Sequence, residues 1–324
     1  MSKQLVLMDH DGGVDDYLAT MLLLTMDHIE LLGVVVTPAD CYIQPAVSAT
    51  RKILDLMGFS HIPVAESTVR GINPFPSLYR RDSFIVDHLP ILNQSETINT
   101  PLVADTGQNF MIKVLREASQ PVTLMVTGPL TTVAVALDKA PDIETKIQKI
   151  VWMGGALNVF GNVEKSLEAG QDGSAEWNAY WDPVSAARVW QTQIEMIMCP
   201  LDLTNNVPVT SELVQKMGRQ RHYPISDLAG QCYALVIPQD YYFWDVLATA
   251  YLGHPEFYQL REWETKIITT GLSQGRTQVV SGGRKISAMH QVDKAAFYAY
   301  ILQQWQSSSY RYPGITLRSA AAVS

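Results

Sequence analysis

Strand-length apolar runs alternate with amphipathic stretches over the first two thirds of this chain, and few folds accept that order. Leu5–Met8 precedes an expected helix over about residues 15–25. Leu31–Val36 precedes another over about 45–57, with Ile53, Leu54 and Leu56 on its apolar face. A short strand follows at Ile62–Ala65. The rhythm resumes with a helix over about 107–118, a strand at Val122–Val126, a helix over 130–139 and a strand at Ile150–Met153. A helix opening at Pro183 and a strand at Glu195–Met198 continue it. Repeated β-α-β order predicts an α/β fold, a mainly parallel central sheet flanked by helices on both faces. Irregular spacing after residue 200 disfavours a closed eight-stranded barrel. No repeat, low-complexity tract or linker divides residues 1–324, so one domain is expected. Residues 66–105 break the rhythm: Pro74, Pro76, Pro90 and Pro101 with several charges predict a long surface loop, of the kind that closes over binding sites.

Ligands of such sheets sit beyond the C-terminal strand ends. Three polar clusters fall there: Asp9–Asp16, Thr37–Cys41 and Thr127-Gly128-Pro129. The first is Asp9-His10-Asp11-Gly12-Gly13-Val14-Asp15-Asp16, four carboxylates at a Gly-kinked passage from strand to helix. Like charges this close repel one another unless a cation is present. Oxygen-only donors favour a hard ion, Ca²⁺ or Mg²⁺, over zinc. Helix capping by Asp15 or Asp16 accounts for one acid but leaves the others unexplained.

Further residues suit a hydroxyl-rich, flat ligand. Met153-Gly154-Gly155 ends a strand and opens the loop holding Asn162. In Glu176-Trp177-Asn178, extended geometry would put the acid and the amide on one face, where each can bond a sugar hydroxyl. Asp182-Pro183 is a helix N-cap with Pro at the first helical position. Tyr241-Tyr242-Phe243-Trp244-Asp245 sets an acid at the end of an aromatic run, and Trp177, Trp181, Tyr79 and Phe75 offer more stacking surface. The seven histidines show no metal or triad spacing, and His10 is expected to point away from Asp9 and Asp11. Cys41, Cys199 and Cys232 form neither a disulfide framework nor a zinc pattern.

Composition narrows the partners. A formal charge of −8 with no basic patch argues against nucleic acid and anionic membranes as partners. No apolar run reaches the roughly 18 residues of a membrane span, and Met-Ser-Lys-Gln leads into the first strand without a signal sequence, so a cytoplasmic protein is expected.

Together these segments resemble the calcium-dependent nucleoside hydrolases. Asp9-His10-Asp11-Gly12-Gly13-Val14-Asp15-Asp16 is similar to that family's Asp-x-Asp-x-x-x-Asp-Asp signature. Thr127-Gly128-Pro129-Leu130, Met153-Gly154-Gly155, Gly161-Asn162, Glu176-Trp177-Asn178, Pro200-Leu201-Asp202-Leu203-Thr204 and Trp244-Asp245 follow in the family's order. The match runs from residue 5 to about 252. Ala39-Asp40-Cys41, Asn73-Pro74-Phe75-Pro76 and Tyr180-Trp181-Asp182-Pro183 look most like the purine-specific inosine-adenosine-guanosine branch.

The resemblance implies a Rossmann-like fold and hydrolysis of the N-glycosidic bond of ribonucleosides, purine-preferring, giving free base and ribose. It implies Ca²⁺ held by Asp11, Asp16, Asp245 and the carbonyl of Thr127, with Asp11 also taking the proton of the attacking water. Asp15, Met153, Asn162, Glu176 and Asn178 would form the ribose site. Asp40, Tyr79, Trp177 and Trp244 would surround the base. The partner implied is a small nucleoside, and the assembly a homo-oligomer, dimer or tetramer. Two departures stand out: Tyr79 replaces the branch's Trp, and Val163–Gly173 is longer than the branch pattern. Trp244 occupies the place where the broad-specificity branch carries a His acid. A broad-specificity hydrolase and a non-catalytic nucleoside-binding protein are the alternative readings. The first strand and Asp9-His10-Asp11 also resemble haloacid-dehalogenase-type phosphatases, a reading that leaves Asp15, Asp16, Glu176, Asn178 and Asp245 without roles.

Overall fold

The computed structural model describes residues 3–237 and 239–306. The expected domain span, 1–324, therefore extends beyond the described residues at both ends. Nine strands form one sheet: β1 (Gln4–His10), β2 (Ile29–Val36), β3 (Val64–Glu66), β4 (Val122–Val126), β5 (Ile147–Met153), β6 (Glu195–Cys199), β7 (Tyr258–Ile267), β8 (Thr277–Val279) and β9 (Arg284–Val292). Across the sheet they run β3-β2-β1-β4-β5-β6-β9-β7-β8. The first six pair in parallel, as the β-α-β reading requires. β9 joins β6 in parallel, while β7 runs antiparallel to both β8 and β9. That antiparallel edge was not foreseen. β7 reads Tyr-Gln-Leu-Arg-Glu-Trp-Glu-Thr-Lys-Ile and is exposed over much of its length, so charged side chains mask its strand character.

The alternation of β1 explains how the sheet separates two cores. Val6 and Met8 pack on one face with Leu18, Met21 and Leu22 of the helix Val14–Leu24. Leu5 and Leu7 pack on the other with Leu124, Val126 and Ile150. Both faces are covered, so the central strands are apolar throughout, and each buried aliphatic side chain contributes about 1.5–3 kcal/mol.

Strand order reverses at β1, which leads to β2 on one side and has β4 on the other. Such a reversal leaves a crevice beyond the strand ends, because the flanking connections depart to opposite faces. The acidic turn after β1, Thr37–Asp40 after β2 and Thr127 after β4 all open at this edge. The excursion at 66–105 carries two short helices, Ser77–Arg80 and Asp82–Asp87, and a 3₁₀ turn at Pro90–Leu92. It is tied to the helix Ile43–Leu56 by Lys52, 2.8 Å from Asp87 Oδ1, and by Asp55, which accepts from the amides of Asn99 and Thr100. Among the described residues, no helix is long and apolar enough to cross a membrane.

Asp182 caps the helix Pro183–Val189, as expected, accepting from the Ser185 amide and hydroxyl and from the Thr131 hydroxyl. Asp182→Ala is expected to lower the unfolding free energy by about 1–3 kcal/mol, from the lost cap and the buried hydroxyl left unpaired. Denaturant titration checks this; an unshifted midpoint would contradict it.

Candidate active site

The acidic turn is built by glycine. Gly12 has φ +81°, and a Cβ there would lie 2.6 Å from Cys41 Cβ and 2.9 Å from Ala46 Cβ. The chain can therefore reverse tightly after β1 only with Gly at this position. Asp11 follows the strand, 3% exposed, with its Oδ2 buried and unpartnered. Asp16 closes the first turn of the next helix, Oδ2 accepting from the Gly13 amide at 2.8 Å and Oδ1 from the Thr127 hydroxyl.

Asp15 reaches across the sequence. Its Oδ2 accepts from the amides of Trp244, Asp245 and Val246 at 2.9, 2.6 and 3.3 Å, and its Oδ1 from the Tyr233 hydroxyl at 2.8 Å. Those amides are the N-terminus of the helix Asp245–Gly253. Asp15 thus holds Trp244 and Asp245 against the acidic turn by satisfying amides that have no partner within their own helix.

The segment after residue 175 differs from the extended form expected. Trp177–Trp181 is a short helix, and Glu176 is its N-cap, accepting from the amides of Asn178, Ala179 and Gly155 at 2.8, 3.1 and 2.8 Å. Four amides in a row without intrahelical partners favour the cap over the strand. Asn178 then points its amide nitrogen to the carbonyls of Thr127 at 2.9 Å and Met153 at 3.1 Å, joining the ends of β4 and β5. Asn162 Oδ1 accepts from the Trp177 amide at 3.1 Å.

One cavity of about 350 Å³ gathers these parts. Asp11, Asp15, Asp16, Asp40, Tyr79, Thr127, Met153, Asn162, Glu176, Trp177, Asn178, Trp244 and Asp245 all border it. So do Asp82, Glu164, Asn205, Gln239 and Asp240, which the sequence reading missed. Asp240 adjoins the aromatic run and Glu164 lies in the lengthened segment, the only signals either carried. Phe75, Tyr79 and Trp177 cluster on one part of the wall; Tyr241 and Tyr242 pack against Trp244 on another. Tyr79 meets Trp177 edge-on, at 6.3 Å and 81°, and its hydroxyl donates to Glu164 Oε1 at 2.6 Å. His10 turns away, as expected, with Nε2 3.0 Å from Thr50 Oγ1. The three cysteines are buried and free.

Charge is concentrated here. Burial, then Asp16 and Asp40, push the Asp11 carboxyl well up; burial, then Asp16, Asp15 and Asp11, do the same to Asp245. Burial raises Asp15 to about 6 despite its hydrogen bonds. Among the described residues, no three Asp, Glu, His or Cys side chains form a ready-built metal cluster. Asp11, Asp16 and Asp245 still border the same cavity, and Asp16 and Asp11 both act on the Asp245 carboxyl. The donor chemistry nevertheless fits a hard cation: oxygen donors, mutual repulsion, and a buried Asp11 oxygen with nothing to bond.

The model of the family "Inosine-uridine preferring nucleoside hydrolase" matches residues 6–299. The chain belongs to this family.

The similarity extends over whole structures. An inosine-uridine preferring nucleoside hydrolase from Bacillus anthracis is 44% identical, with a TM-score of 0.90 over 94% of this chain and 99% of that one. The pyrimidine-specific ribonucleoside hydrolase RihA of Shewanella woodyi is 28% identical, covering 94% of this chain and 98% of the relative. The purine-preferring ribonucleoside hydrolase from Gardnerella vaginalis shares the fold, at 22% identity and a TM-score of 0.76 over 94% of this chain and 98% of that one. Relatives of this nucleoside hydrolase thus carry names with opposite base preferences.

Behind the cavity, Asp9 accepts from the Thr37 hydroxyl at 2.7 Å while its Oδ2 is buried without a partner. Burial raises its carboxyl from 3.8 to about 8. A carboxyl that ionises more easily unfolded than folded withdraws stability as pH rises, here between about 4 and 8. Asp9→Asn is expected to flatten that decline in melting curves recorded with chelator. A decline as steep as the parent's would contradict the assignment.

Proposed function

We propose that this chain is a Ca²⁺-dependent, purine-preferring ribonucleoside hydrolase, releasing free base and ribose. The observation that carries the reading is the single cavity in which the carboxylates at the strand ends adjoin two aromatic groups. Asp11, Asp16, Asp245 and the Thr127 carbonyl would hold the cation. When bound, Ca²⁺ supplies orientation to ribose hydroxyls and water, and makes that water more acidic.

The side chains divide the remaining work. Asp11, with its unpartnered Oδ2, accepts the proton of the attacking water. Asn178 spends its amide hydrogens on Thr127 and Met153, leaving Oδ1 as an acceptor for a ribose hydroxyl. Glu176 keeps spare lone pairs beside its three amides and accepts a second hydroxyl. Asn162 lies alongside, Met153 forms the apolar floor, and Asp15 retains one acceptor site on Oδ1 beside Tyr233.

The aromatic residues address the base. Trp177 and Trp244 offer the large faces on which a purine stacks, with Tyr79 presenting its edge. Asp40 has a buried, unpartnered Oδ1, and burial holds its carboxyl well above the usual range. In its protonated form it can give a proton to the imidazole edge of the departing purine. Trp244 stands where the broad-specificity branch has its His acid, so protonation by that route is absent.

Base release from inosine, guanosine, adenosine, uridine and cytidine, with Ca²⁺ and with excess chelator, tests this reading. Ca²⁺-dependent cleavage is expected for the purine nucleosides, with uridine and cytidine slow. Faster cleavage of uridine than inosine would replace purine preference with the specificity named for RihA. No cleavage by folded, Ca²⁺-loaded protein would leave a nucleoside-binding protein. Asp11→Asn is expected to lower turnover of inosine by about 10²–10⁴-fold, the usual worth of a general base. Steady-state kinetics check this; an unchanged rate would remove Asp11 from the chemistry.

A further inference from the structure

The wall of the cavity is one-sided in charge. Nine Asp or Glu residues border it, and no Lys, Arg or His is among the bordering residues described. Four of the nine, Asp40, Asp82, Glu164 and Asp240, lie outside the set that would hold cation and ribose. Arg80 acts on Asp40 and Arg81 Nε lies 3.9 Å from Asp82, while among the described residues Glu164 and Asp240 form no ion pair within 4 Å. Phe75, Tyr79, Trp177, Tyr241, Tyr242 and Trp244 border the same space. Aromatic faces and acidic groups both attract a delocalised cation, and both discriminate against an anion.

We propose that the site selects cationic purine ribonucleosides, those alkylated at N7, over their neutral parents; this rests on the hydrolase reading above. The chemistry agrees with the walls. In a neutral purine nucleoside, the C1′–N9 electron pair leaves with the base, and the base must gain a proton. In an N7-alkylated nucleoside the same electron pair passes to N9 and cancels the charge already on the imidazole ring. Water oxygen bonds to C1′, one water proton goes to Asp11 and then to solvent, and neutral alkylated base departs with ribose. No proton donor to the base is needed. Glu164 is held at the wall by the Tyr79 hydroxyl, with Oε2 free of that bond, and Asp240 follows on the loop before Tyr241. These two carboxylates are the specificity-determining residues.

The test compares 7-methylguanosine with guanosine on the Ca²⁺-loaded enzyme and on Glu164→Gln, Asp240→Asn and the double variant. The parent is expected to show a KM about thirtyfold lower for 7-methylguanosine, the size of one desolvated cation–π contact. Its kcat/KM preference is expected to fall at least about threefold in the double variant, the size of two exposed charge pairs lost. The intrinsic lability of the alkylated substrate cancels in that comparison of ratios, and guanosine turnover reports that each variant is folded. An equal or higher KM for 7-methylguanosine, or a preference unchanged in all three variants, would overturn the proposal. Guanosine cleavage with no selectivity for the cation overturns this inference alone. Failure to cleave either nucleoside overturns the hydrolase reading with it.

Discussion

The site depends on one carboxylate that bonds across 230 residues of sequence. Asp15, in the first turn after β1, receives the three leading amides of the helix Asp245–Gly253 and the Tyr233 hydroxyl. Amides at a helix start have no partners of their own, and a negative charge also meets the positive end of the helix dipole. Asp245 and Trp244 are thereby fixed beside Asp11 and Asp16. The same contact joins the parallel half of the sheet to the C-terminal third of the chain, so Asp245 and Trp244 reach the cavity together.

That arrangement concentrates charge where burial disfavours it. Asp11, Asp15, Asp16 and Asp245 are all nearly inaccessible to solvent. Two answers to this are visible. Asp15 and Asp16 accept hydrogen bonds from backbone amides and hydroxyls. At Asp11 and Asp245, burial and then the charge of Asp16 drive the carboxyls upward. A bound cation would be a third answer, turning a cost in folding into a site for substrate hydroxyls and water. The strand-order reversal at β1 supplies the crevice in which this balance can be struck.

The parallel half of the fold was legible because buried strands read as unbroken apolar runs: Val122–Val126 is a strand over those five residues. The antiparallel edge was not, since solvent-facing β7 carries charge at positions a buried strand would fill with Val or Ile. In the site, residue identities were readable from chemistry and resemblance, and the cavity gathers every one. Their local geometry was less so. Glu176 looked like a strand residue because Glu-Trp-Asn alternates, yet capping of the helix Trp177–Trp181 decides its conformation. Tyr79 was legible as an aromatic residue of the site, but its hydroxyl bond to Glu164 and its perpendicular contact with Trp177 were not. Glu164 and Asp240 escaped notice because an acid in a surface loop carries no periodic signal; only the folded chain shows what it faces.

The central claim is that these strand-end carboxylates exist to hold one hard cation. Calorimetric titration of chelator-stripped protein with Ca²⁺, repeated on Asp245→Ala, tests it most directly. The account predicts one saturable site per chain in the parent and none in the variant, with both proteins folded. A folded parent that binds no Ca²⁺, or a variant that binds it as tightly as the parent, would contradict it.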